Sequence, residues 1–162
     1  MDSWQPAYVA LGSNQQDPAV QVRNALARIA AMPRTQLVLQ SALYGSRPFG
    51  KLDQPDFVNA AAGVLTQLSP EMLLAELKTL ESALGRPVVH QKWGPRIIDL
   101  DLLVHGREQR DRPEFTLPHA GIVERNFVLY PLGEIAPDLD VPGLGRVAKL
   151  RQRVGADGLW RL

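Results

Sequence analysis

The sequence predicts an α+β fold in which helices pack on an antiparallel sheet. Segments of strand type alternate with two amphipathic helical segments, and both helical segments have clear start signals. The resulting order is a βαβ unit, a second βαβ unit and further elements, which is typical of a ferredoxin-like βαββαβ sandwich. We expect residues 1–162 to form one domain of this kind, with the helices on one face of the sheet.

The first unit begins with an apolar run at residues 7–14, which predicts a buried strand that ends in a Gly-Ser-Asn turn. Asp17 and Pro18 predict the start of the first helix, with Asp17 as its cap and Pro18 at its first position. Apolar residues then recur at helical spacing, namely Val22, Ala25, Leu26 and Ile29. Residues 35–46 are rich in β-forming side chains and predict the second strand.

The second unit follows a loop at residues 45–56 and begins with a predicted strand at residues 57–68. The clearest helix comes next, with Ser69 as its cap, Pro70 in its first turn and Gly85 as its stop. One stripe of this helix is apolar, and Glu81 lies near its edge; the stripe consists of Leu73, Leu77, Leu80 and Leu84.

The rest of the chain contains a loop, a strand and a less regular end. Residues 86–96 predict a basic loop and residues 97–106 a strand. The segment TLPHAGIVERNFVLYPLGEIAP predicts a turn, a helix and an extended end. The chain beyond Val141 is rich in glycine and weakly patterned. The loops at 45–56 and 85–93 are longer than a simple connection needs, which is typical of functional loops.

Composition excludes several classes of protein. The net charge of +1 gives no strong field for nucleic acid or an anionic membrane. The absence of cysteine excludes a disulfide scaffold and thiolate metal sites. No apolar run is long enough to span a bilayer, and the first residues lack signal-peptide features. We therefore expect a cytoplasmic protein without a nucleic-acid or membrane partner, and the chain has no Walker A, GxGxxG, GxSxG or HExxH motif.

A pair of aspartates interrupts the last predicted strand, in the sequence GPRIIDLDLLVHG. Asp99 and Asp101 are two residues apart, so their side chains point to the same face of a strand. The opposite, core-facing set would be Ile98, Leu100, Leu102 and Val104. Burying unpaired carboxylates is costly, and a hard cation such as Mg²⁺ relieves that cost. A solvated outer face that carries two acids is the alternative, although Ile97 and Leu103 on the same face argue against a fully wet surface.

Basic and aromatic residues lie close to this pair in the sequence. Arg96 suits a phosphate clamp, or it is a surface arginine or a partner of Asp99. Trp93 suits stacking on a flat heteroaromatic ring, or it buries an edge of the core. Arg86 and Lys92 suit contacts with a polyphosphate, or they form part of a solvated face.

Two further groups of residues are candidates for ligand binding. Phe57 and Asn59 share one face of their strand, and together they offer an aromatic plane and an amide that can both donate and accept. This combination suits a heterocycle that carries an amide, although a core phenylalanine and a turn-closing asparagine are the simpler interpretation. His119 follows a Leu-Pro pair, and a lone histidine is more often structural than catalytic.

Four motifs together resemble one family. The segments WGPRIIDLDLL, YVALGSN, DQPDFVNAA and LPHAGIVERNFVLYPLGEIAP are similar to those of 6-hydroxymethyl-7,8-dihydropterin pyrophosphokinases of folate biosynthesis, and the resemblance covers nearly the whole chain. The resemblance implies a ferredoxin-like fold with three long catalytic loops. It also implies an ATP-dependent diphosphotransferase, which transfers pyrophosphate from MgATP to the hydroxymethyl group of the dihydropterin and releases AMP.

The resemblance also implies roles for individual residues. The catalytic set would be Arg86, Arg96, Asp99 and Asp101, with Asp99 and Asp101 as ligands of two Mg²⁺ ions. The pterin-binding set would be Ser46, Phe49, Phe57, Asn59, Trp93 and Phe127. The ATP-binding set would be Lys78, Glu81, Trp93, Arg96, Leu102, Thr116, His119 and Arg125. The family further implies a monomer that acts on small-molecule substrates.

Several positions differ from the family pattern. The family commonly has an amide side chain where this sequence has Lys78, and further basic residues where it has Val88 and Val89. It often has an arginine at the position of Glu114 and a tyrosine at the position of Ala120. These differences leave open a paralogue that binds pterin or nucleotide with weak or no transfer. A ferredoxin-like nucleic-acid module is a third hypothesis, and the balanced charge and the absence of an aromatic RNA-binding strand argue against it.

Overall fold

The computed structural model describes residues 3–48, 53–85 and 97–162. The strands are β1 Gln5–Ser13, β2 Thr35–Gln40, β3 Tyr44–Ser46, β4 Phe57–Thr66, β5 Asp99–His105, β6 Arg110–Arg112, β7 Phe115–Leu117, β8 Asp140–Val141, β9 Gly145–Arg146 and β10 Leu159–Arg161. The helices are α1 Pro18–Ala30, α2 Pro70–Ala83, α3 Asn126–Ile135 and α4 Val147–Gln152, and a short 3-10 helix covers Ile122–Glu124. Among the described residues, no helix has both the length and the apolar character that a bilayer span requires.

The main sheet has the order β10-β3-β4-β1-β5, and β2 also pairs with β4. Every pairing in this sheet is antiparallel. The strands of each βαβ unit are separated by a strand of the other unit, because β4 lies between β1 and β2, and β1 lies between β4 and β5. This is the ferredoxin-like arrangement, so the predicted fold class is confirmed.

The predicted strand at residues 35–46 forms two strands, β2 and β3, along the same partner β4. Gln40 pairs with Ala62 and Tyr44 pairs with Asn59, so the β2–β3 side contains one more residue than β4 over this stretch. Ser41 bridges the interruption, because its hydroxyl accepts the Ala61 N–H at 2.9 Å. The side chain thus replaces a missing ladder hydrogen bond.

Helices cover both faces of the sheet, which corrects the expectation of helices on one face. One apolar cluster includes residues of α1 and α2, and a second includes residues of α3 and α4. The alternating residues of β4 divide between the two clusters, with Ala60 and Ala62 in the first and Ala61 in the second. A strand that is buried on both faces has a continuous apolar sequence, and the AAAGV run of β4 is of this type.

A bulge in β5 changes which side chains face the second cluster. Tyr8 pairs with Val104 but Val9 pairs with Leu102, so Leu103 is an extra residue in β5. Alternation therefore holds from Asp99 to Leu102 and then shifts by one residue. Val104 packs in the second cluster with Leu103, so its predicted orientation toward the first cluster is wrong.

The two predicted helix caps have different outcomes. The Ser69 hydroxyl accepts the Met72 N–H at 3.2 Å, which confirms the cap of α2. Asp17 occupies the N-cap position of α1 as predicted, but its backbone is left-handed with a φ of 62° and its side chain makes no cap hydrogen bond. An N-cap residue normally has an extended backbone, which places its side chain over the first free N–H groups.

Candidate active site

A cavity opens on the α3 side of the sheet, between the sheet and the beginning of α3. Its floor is formed by β1, β4 and β5, and its walls come from the end of β3 and the first turn of α3. It is lined by Ala10, Leu11, Gly12, Ser46, Arg47, Phe57, Asn59, Asp99, Asp101, Arg125, Phe127 and Val128. We call it the first cavity.

Strand register brings the polar floor residues together. Gly12 of β1 pairs with Asn59 on one side and with Asp99 on the other, and Ala10 pairs with Asp101. A Cβ at Gly12 would lie 3.3 Å from the Asn59 Oδ1 atom, so even a methyl group would crowd this amide. The small residues of β1 therefore leave the floor open between the amide and the two carboxylates.

The amide of Asn59 has a defined orientation. Asn59 is 4% exposed, and its Nδ2 atom donates to Ser46 Oγ at 2.8 Å and to the Tyr44 carbonyl at 3.4 Å. Since the amide nitrogen faces β3, the amide oxygen faces Gly12. The structure thus brings Ser46, Phe57, Asn59 and Phe127 to one cavity, as four of the six pterin-binding predictions require.

Asp99 and Asp101 are half-buried and both line the first cavity. Two carboxylates that face one cavity are a donor set suited to a hard, oxygen-preferring cation such as Mg²⁺. Among the described residues, no group of three or more His, Cys, Asp or Glu side chains forms a metal cluster. The pair could supply two carboxylate ligands to such a cation, as many as a Mg²⁺ site commonly takes from a protein.

His119 lies beside this pair, with its Nε2 atom 3.9 Å from Asp101 Oδ1. Its Nδ1 atom accepts the Gly121 N–H at 3.0 Å, so Nε2 carries the ring proton. Burial lowers the pKa of His119, the Asp101 carboxylate acts in the opposite direction, and the Arg125 guanidinium lowers it further. The imidazole is therefore neutral at pH 7 and presents an N–H donor toward the carboxylate.

A second cavity lies on the other side of Asp101. Its lining combines α2, β5 and the β6–β7 hairpin and consists of Leu74, Lys78, Glu81, Leu100, Asp101, Leu102, Pro113, Glu114, Phe115, Thr116, His119 and Ala120. It contains five of the residues predicted to bind ATP, namely Lys78, Glu81, Leu102, Thr116 and His119. Arg125 lines the first cavity instead. Asp101 lines both cavities, so its carboxylate lies where they meet, whereas Asp99 lines the first cavity.

Glu81 supports the strand that carries the two aspartates. It is 4% exposed and accepts the Leu100 N–H at 2.8 Å, and it continues the buried row of α2 formed by Leu73 and Leu77. Glu81 therefore lies within the buried face of α2 and not, as predicted, near the edge of its apolar stripe. Because the carboxylate also lines the second cavity, a substitution there would change both β5 and the cavity wall.

The hairpin of β6 and β7, which was not predicted, is attached to α2 by an ionic cluster. The Glu71 carboxylate accepts hydrogen bonds from Arg110 Nε and Arg112 Nη2, each at 2.6 Å. The Arg110 hydrogen bond, with further help from Arg112, lowers the pKa of Glu71 to about 2. The cluster holds the hairpin beside α2, and Thr116 of β7 thereby lines the second cavity.

Four predicted site residues and two of the departures lie outside the described residues. The site residues are Phe49, Arg86, Trp93 and Arg96, and the departures are Val88 and Val89. Lys92, the other candidate for a polyphosphate contact, also lies outside them. Sequence reasoning in turn did not single out Gly12 and Arg47, which line the first cavity. The available signal for Arg47 was a basic residue directly after a strand, at the start of a long loop.

Comparison with known proteins decides the family. The sequence profile of 7,8-dihydro-6-hydroxymethylpterin-pyrophosphokinase (HPPK) matches residues 8–137. The chain belongs to the HPPK family. A 2-amino-4-hydroxy-6-hydroxymethyldihydropteridine pyrophosphokinase of Pseudomonas aeruginosa is 43% identical over 98% of this chain and 97% of its own length. The enzyme of the same name from Haemophilus influenzae is 44% identical over 89% of each chain.

A solved structure supports the HPPK fold independently. Plasmodium falciparum HPPK-DHPS superposes with a TM-score of 0.71 over 94% of this chain, at 14% identity. This chain spans 43% of that longer protein. At so low an identity the similarity concerns the fold alone, whereas the HPPK family assignment rests on the sequence comparisons.

Proposed function

We propose that Asp99 and Asp101 form the reaction centre of a pyrophosphokinase whose substrates are ATP and 6-hydroxymethyl-7,8-dihydropterin. As a family member, the chain is an ATP-dependent pyrophosphokinase of folate biosynthesis. The observation that carries the placement is that Asp101 lines both cavities. Two substrates bound in adjacent cavities would meet at the carboxylates, which is the arrangement that transfer between them requires.

The first cavity suits the pterin. Phe57 and Phe127 provide aromatic surfaces for a flat ring, and the Asn59 amide, held by Ser46, provides hydrogen bonding to an amide-bearing heterocycle. Phe49 and Trp93 complete the proposed pterin set. This placement keeps a planar, neutral substrate close to the carboxylates of Asp99 and Asp101.

The second cavity suits ATP. Lys78 offers an ammonium group, Thr116 a hydroxyl and His119 a neutral N–H donor, while Leu102 adds apolar surface. Arg125 lies in the first cavity, with its guanidinium carbon 6.0 Å from the centre of the Phe127 ring. From there it would meet the phosphate chain on the pterin side of the carboxylates.

The donor chemistry of Asp99 and Asp101 fits Mg²⁺, and we propose two ions at this pair. When bound, Mg²⁺ supplies neutralisation of the charge on the phosphate oxygens. Asp99 and Asp101 would hold the ions from one face of β5, because alternation places both carboxylates on that face. Arg86 and Arg96 would add positive charge to the same centre.

The proposed reaction is an in-line displacement at the β-phosphorus of ATP. The hydroxymethyl oxygen of the pterin forms a bond to the β-phosphorus and loses its proton, while the bond from that phosphorus to the α,β-bridging oxygen breaks and AMP leaves. Positioning and charge stabilisation dominate catalysis of such transfers. Arg96 and Arg125 would stabilise the charge that spreads over the phosphate oxygens, and we assign no residue as general base.

Product analysis tests the proposal. The protein is incubated with ATP, Mg²⁺ and 6-hydroxymethyl-7,8-dihydropterin, and AMP is separated from ADP. Pterin-dependent AMP is the expected product. ADP would contradict pyrophosphate transfer, and absence of turnover with retained pterin binding would indicate a paralogue that binds without transfer.

We further propose that residues 1–162 act as one monomeric domain in the cytoplasm, without a nucleic-acid or membrane partner. The balanced charge of +1 supports the absence of a polyanionic partner. Light scattering after size exclusion tests the monomer, for which a mass close to 17.9 kDa is expected.

A further inference from the structure

Residues 155–162, which we call the brace, lie against β3, whose last residue lines the first cavity. In β10, Leu159 pairs with Ser46 and Trp160 pairs with Gly45, so the brace lies along β3 as an edge strand. The Arg47 N–H donates to the Gly158 carbonyl at 2.9 Å. The pairing therefore continues past the end of β3 to Arg47, which lines the first cavity.

The brace also holds the beginning of α3. The Asn126 Nδ2 atom donates to the Gly155 carbonyl at 3.1 Å and to the Asp157 carbonyl at 2.9 Å. Asn126 is the first residue of α3, and the next residue, Phe127, lines the first cavity. One short segment thus connects the β3 wall of the cavity to the α3 wall.

Trp160 packs against β3 at a position that has no side chain. A Cβ at Gly45 would lie 2.3 Å from two atoms of the Trp160 indole, which is far closer than atoms can approach. The indole therefore lies directly over the Gly45 backbone, one residue before Ser46. A methyl group at position 45 would have to displace it.

A further cavity lies between this wall and the brace. Ser46, Arg47 and Phe127 line it on one side, and Asp157 and Gly158 of the brace line it on the other. The same three residues line the first cavity, so they border open space on two sides. Because open space lies on both sides of these three residues, close packing alone does not fix their position. The hydrogen bonds of the brace provide this restraint.

We propose that the brace is a positioning element that sets the width of the pterin slot, with Asn126 and Trp160 as its positioning residues. It acts by holding the two walls, Ser46–Arg47 and Phe127, at a fixed separation. This inference rests on the proposed function, since it assumes that pterin binds in the first cavity. The family profile ends at residue 137, so the brace lies beyond the residues that it matches.

The substitution Asn126→Asp tests the connection to α3. It keeps the size of the side chain but puts a carboxylate oxygen opposite two carbonyl oxygens, in place of the amide donor. An acidic side chain in the first turn of a helix is favourable, so α3 itself should persist. We expect the KM for pterin to rise roughly tenfold, as expected for the loss of two hydrogen bonds, with the KM for ATP within about twofold.

Two further variants complete the design. Gly45→Ala should displace the Trp160 indole from β3. It should also raise the KM for pterin, again without a comparable change in the KM for ATP. Asn24→Asp makes the same change of charge at an exposed position of α1 and should leave both KM values unchanged. Thermal unfolding of each variant is measured in parallel.

The outcomes separate the brace from the proposed function. If Asn126→Asp and Gly45→Ala remain folded and leave the pterin KM unchanged, or raise both KM values equally, the brace does not position the pterin slot. If wild-type protein forms no AMP, the proposed reaction fails, and the brace is then tested by the pterin dissociation constant from ligand fluorescence. Absence of pterin binding to the wild type would overturn both proposals.

Discussion

The two faces of the main sheet are built from the same strands but differ in what lies between sheet and helices. On the α1–α2 face, apolar side chains such as Leu11, Leu73 and Leu77 form a core that is closed except at the β5 edge, where the second cavity lies. On the α3–α4 face the core is interrupted beside Asp99 and Asp101, where the first cavity opens. The α1–α2 face therefore provides most of the closed packing, and the α3–α4 face carries the two aspartates and the proposed pterin site.

The largest effect is expected from a substitution that changes only the α3–α4 face, where Asp99 and Asp101 lie. Asp101→Ala should lower kcat/KM by about a thousandfold or more, because it removes a ligand of the proposed metal centre, while the unfolding free energy stays close to that of wild type. Pterin-dependent AMP formation and urea denaturation are the measurements. Asp111→Ala, at an exposed position of β6, is the matched control. Near-normal turnover of Asp101→Ala would contradict the metal assignment, and Asp99→Ala is expected to behave in the same way.

A substitution on the opposite face should have the converse effect. Leu77 is fully buried in the α1–α2 core, and Leu77→Ala should lower the unfolding free energy by about 2–5 kcal/mol through lost burial and a cavity. At a temperature where the variant is folded, its KM values should match those of wild type. Val38→Ala, at a side chain that is 54% exposed, should change stability by less than about 0.5 kcal/mol. If Leu77→Ala had normal stability but altered KM values, the expected difference between the two faces would be contradicted.

A smaller effect is expected where α3 is attached to the edge of the sheet. The Tyr44 hydroxyl donates to Glu134 Oε1 at 2.7 Å, and the same carboxylate accepts the Ala42 N–H at 3.0 Å. Tyr44→Phe should therefore cost about 1–2 kcal/mol of unfolding free energy. Tyr130→Phe, a substitution of the same kind on α3, is the control.

The pH dependence of the same contact sharpens this prediction. Burial, together with the hydrogen bond to Glu134, raises the pKa of Tyr44 from 10.0 to about 12. The folded state thus favours the neutral phenol, so the stabilisation is present below pH 10 and is lost as the pH rises toward 12. Denaturation across this range should show a loss that Tyr44→Phe lacks, and an identical profile for the two proteins would contradict the assignment.

The smallest effect concerns the hairpin that borders the second cavity. The pKa of Glu71 is lowered from 4.5 to about 2, chiefly by Arg110, so its stabilising contribution is present above pH 4.5 and is lost as the pH falls toward 2. Glu71→Gln should make unfolding less sensitive to pH in that range. The effect should be small because the side chain is 44% exposed and solvent screens the ion pairs. Equal acid sensitivity in Glu71→Gln and wild type would show that the cluster does not stabilise the hairpin.

Local sequence predicted features that depend on a single helix or strand. The carboxylates of Asp99 and Asp101 share a face because the pleat of a strand has a period of two. Ser69 caps α2 because its extended backbone places the hydroxyl at the Met72 N–H. Asp17 stands at an equivalent sequence position, but its left-handed backbone prevents the same contact. The residue type alone did not reveal that backbone conformation.

The sequence did not predict features that depend on pairing with a strand far away in the chain. Val104 faces the second cluster because β5 contains one residue more than β1 at Leu103, and only the pairing of the two strands shows this. The brace was not predicted because β10 has only three residues and depends on β3 for its hydrogen bonds. Such short elements carry little periodic signal of their own.

The sequence by itself determined the order of the two βαβ units, the common face of the two aspartates and, through its motifs, the family. Periodicity, capping residues and motif spacing are local properties, so they can be recognised without coordinates. Only the tertiary structure decided that helices cover both faces, that Asp101 joins two cavities and that the brace connects Arg47 to Asn126. These features depend on strand pairing between residues far apart in the chain, which local patterns do not encode.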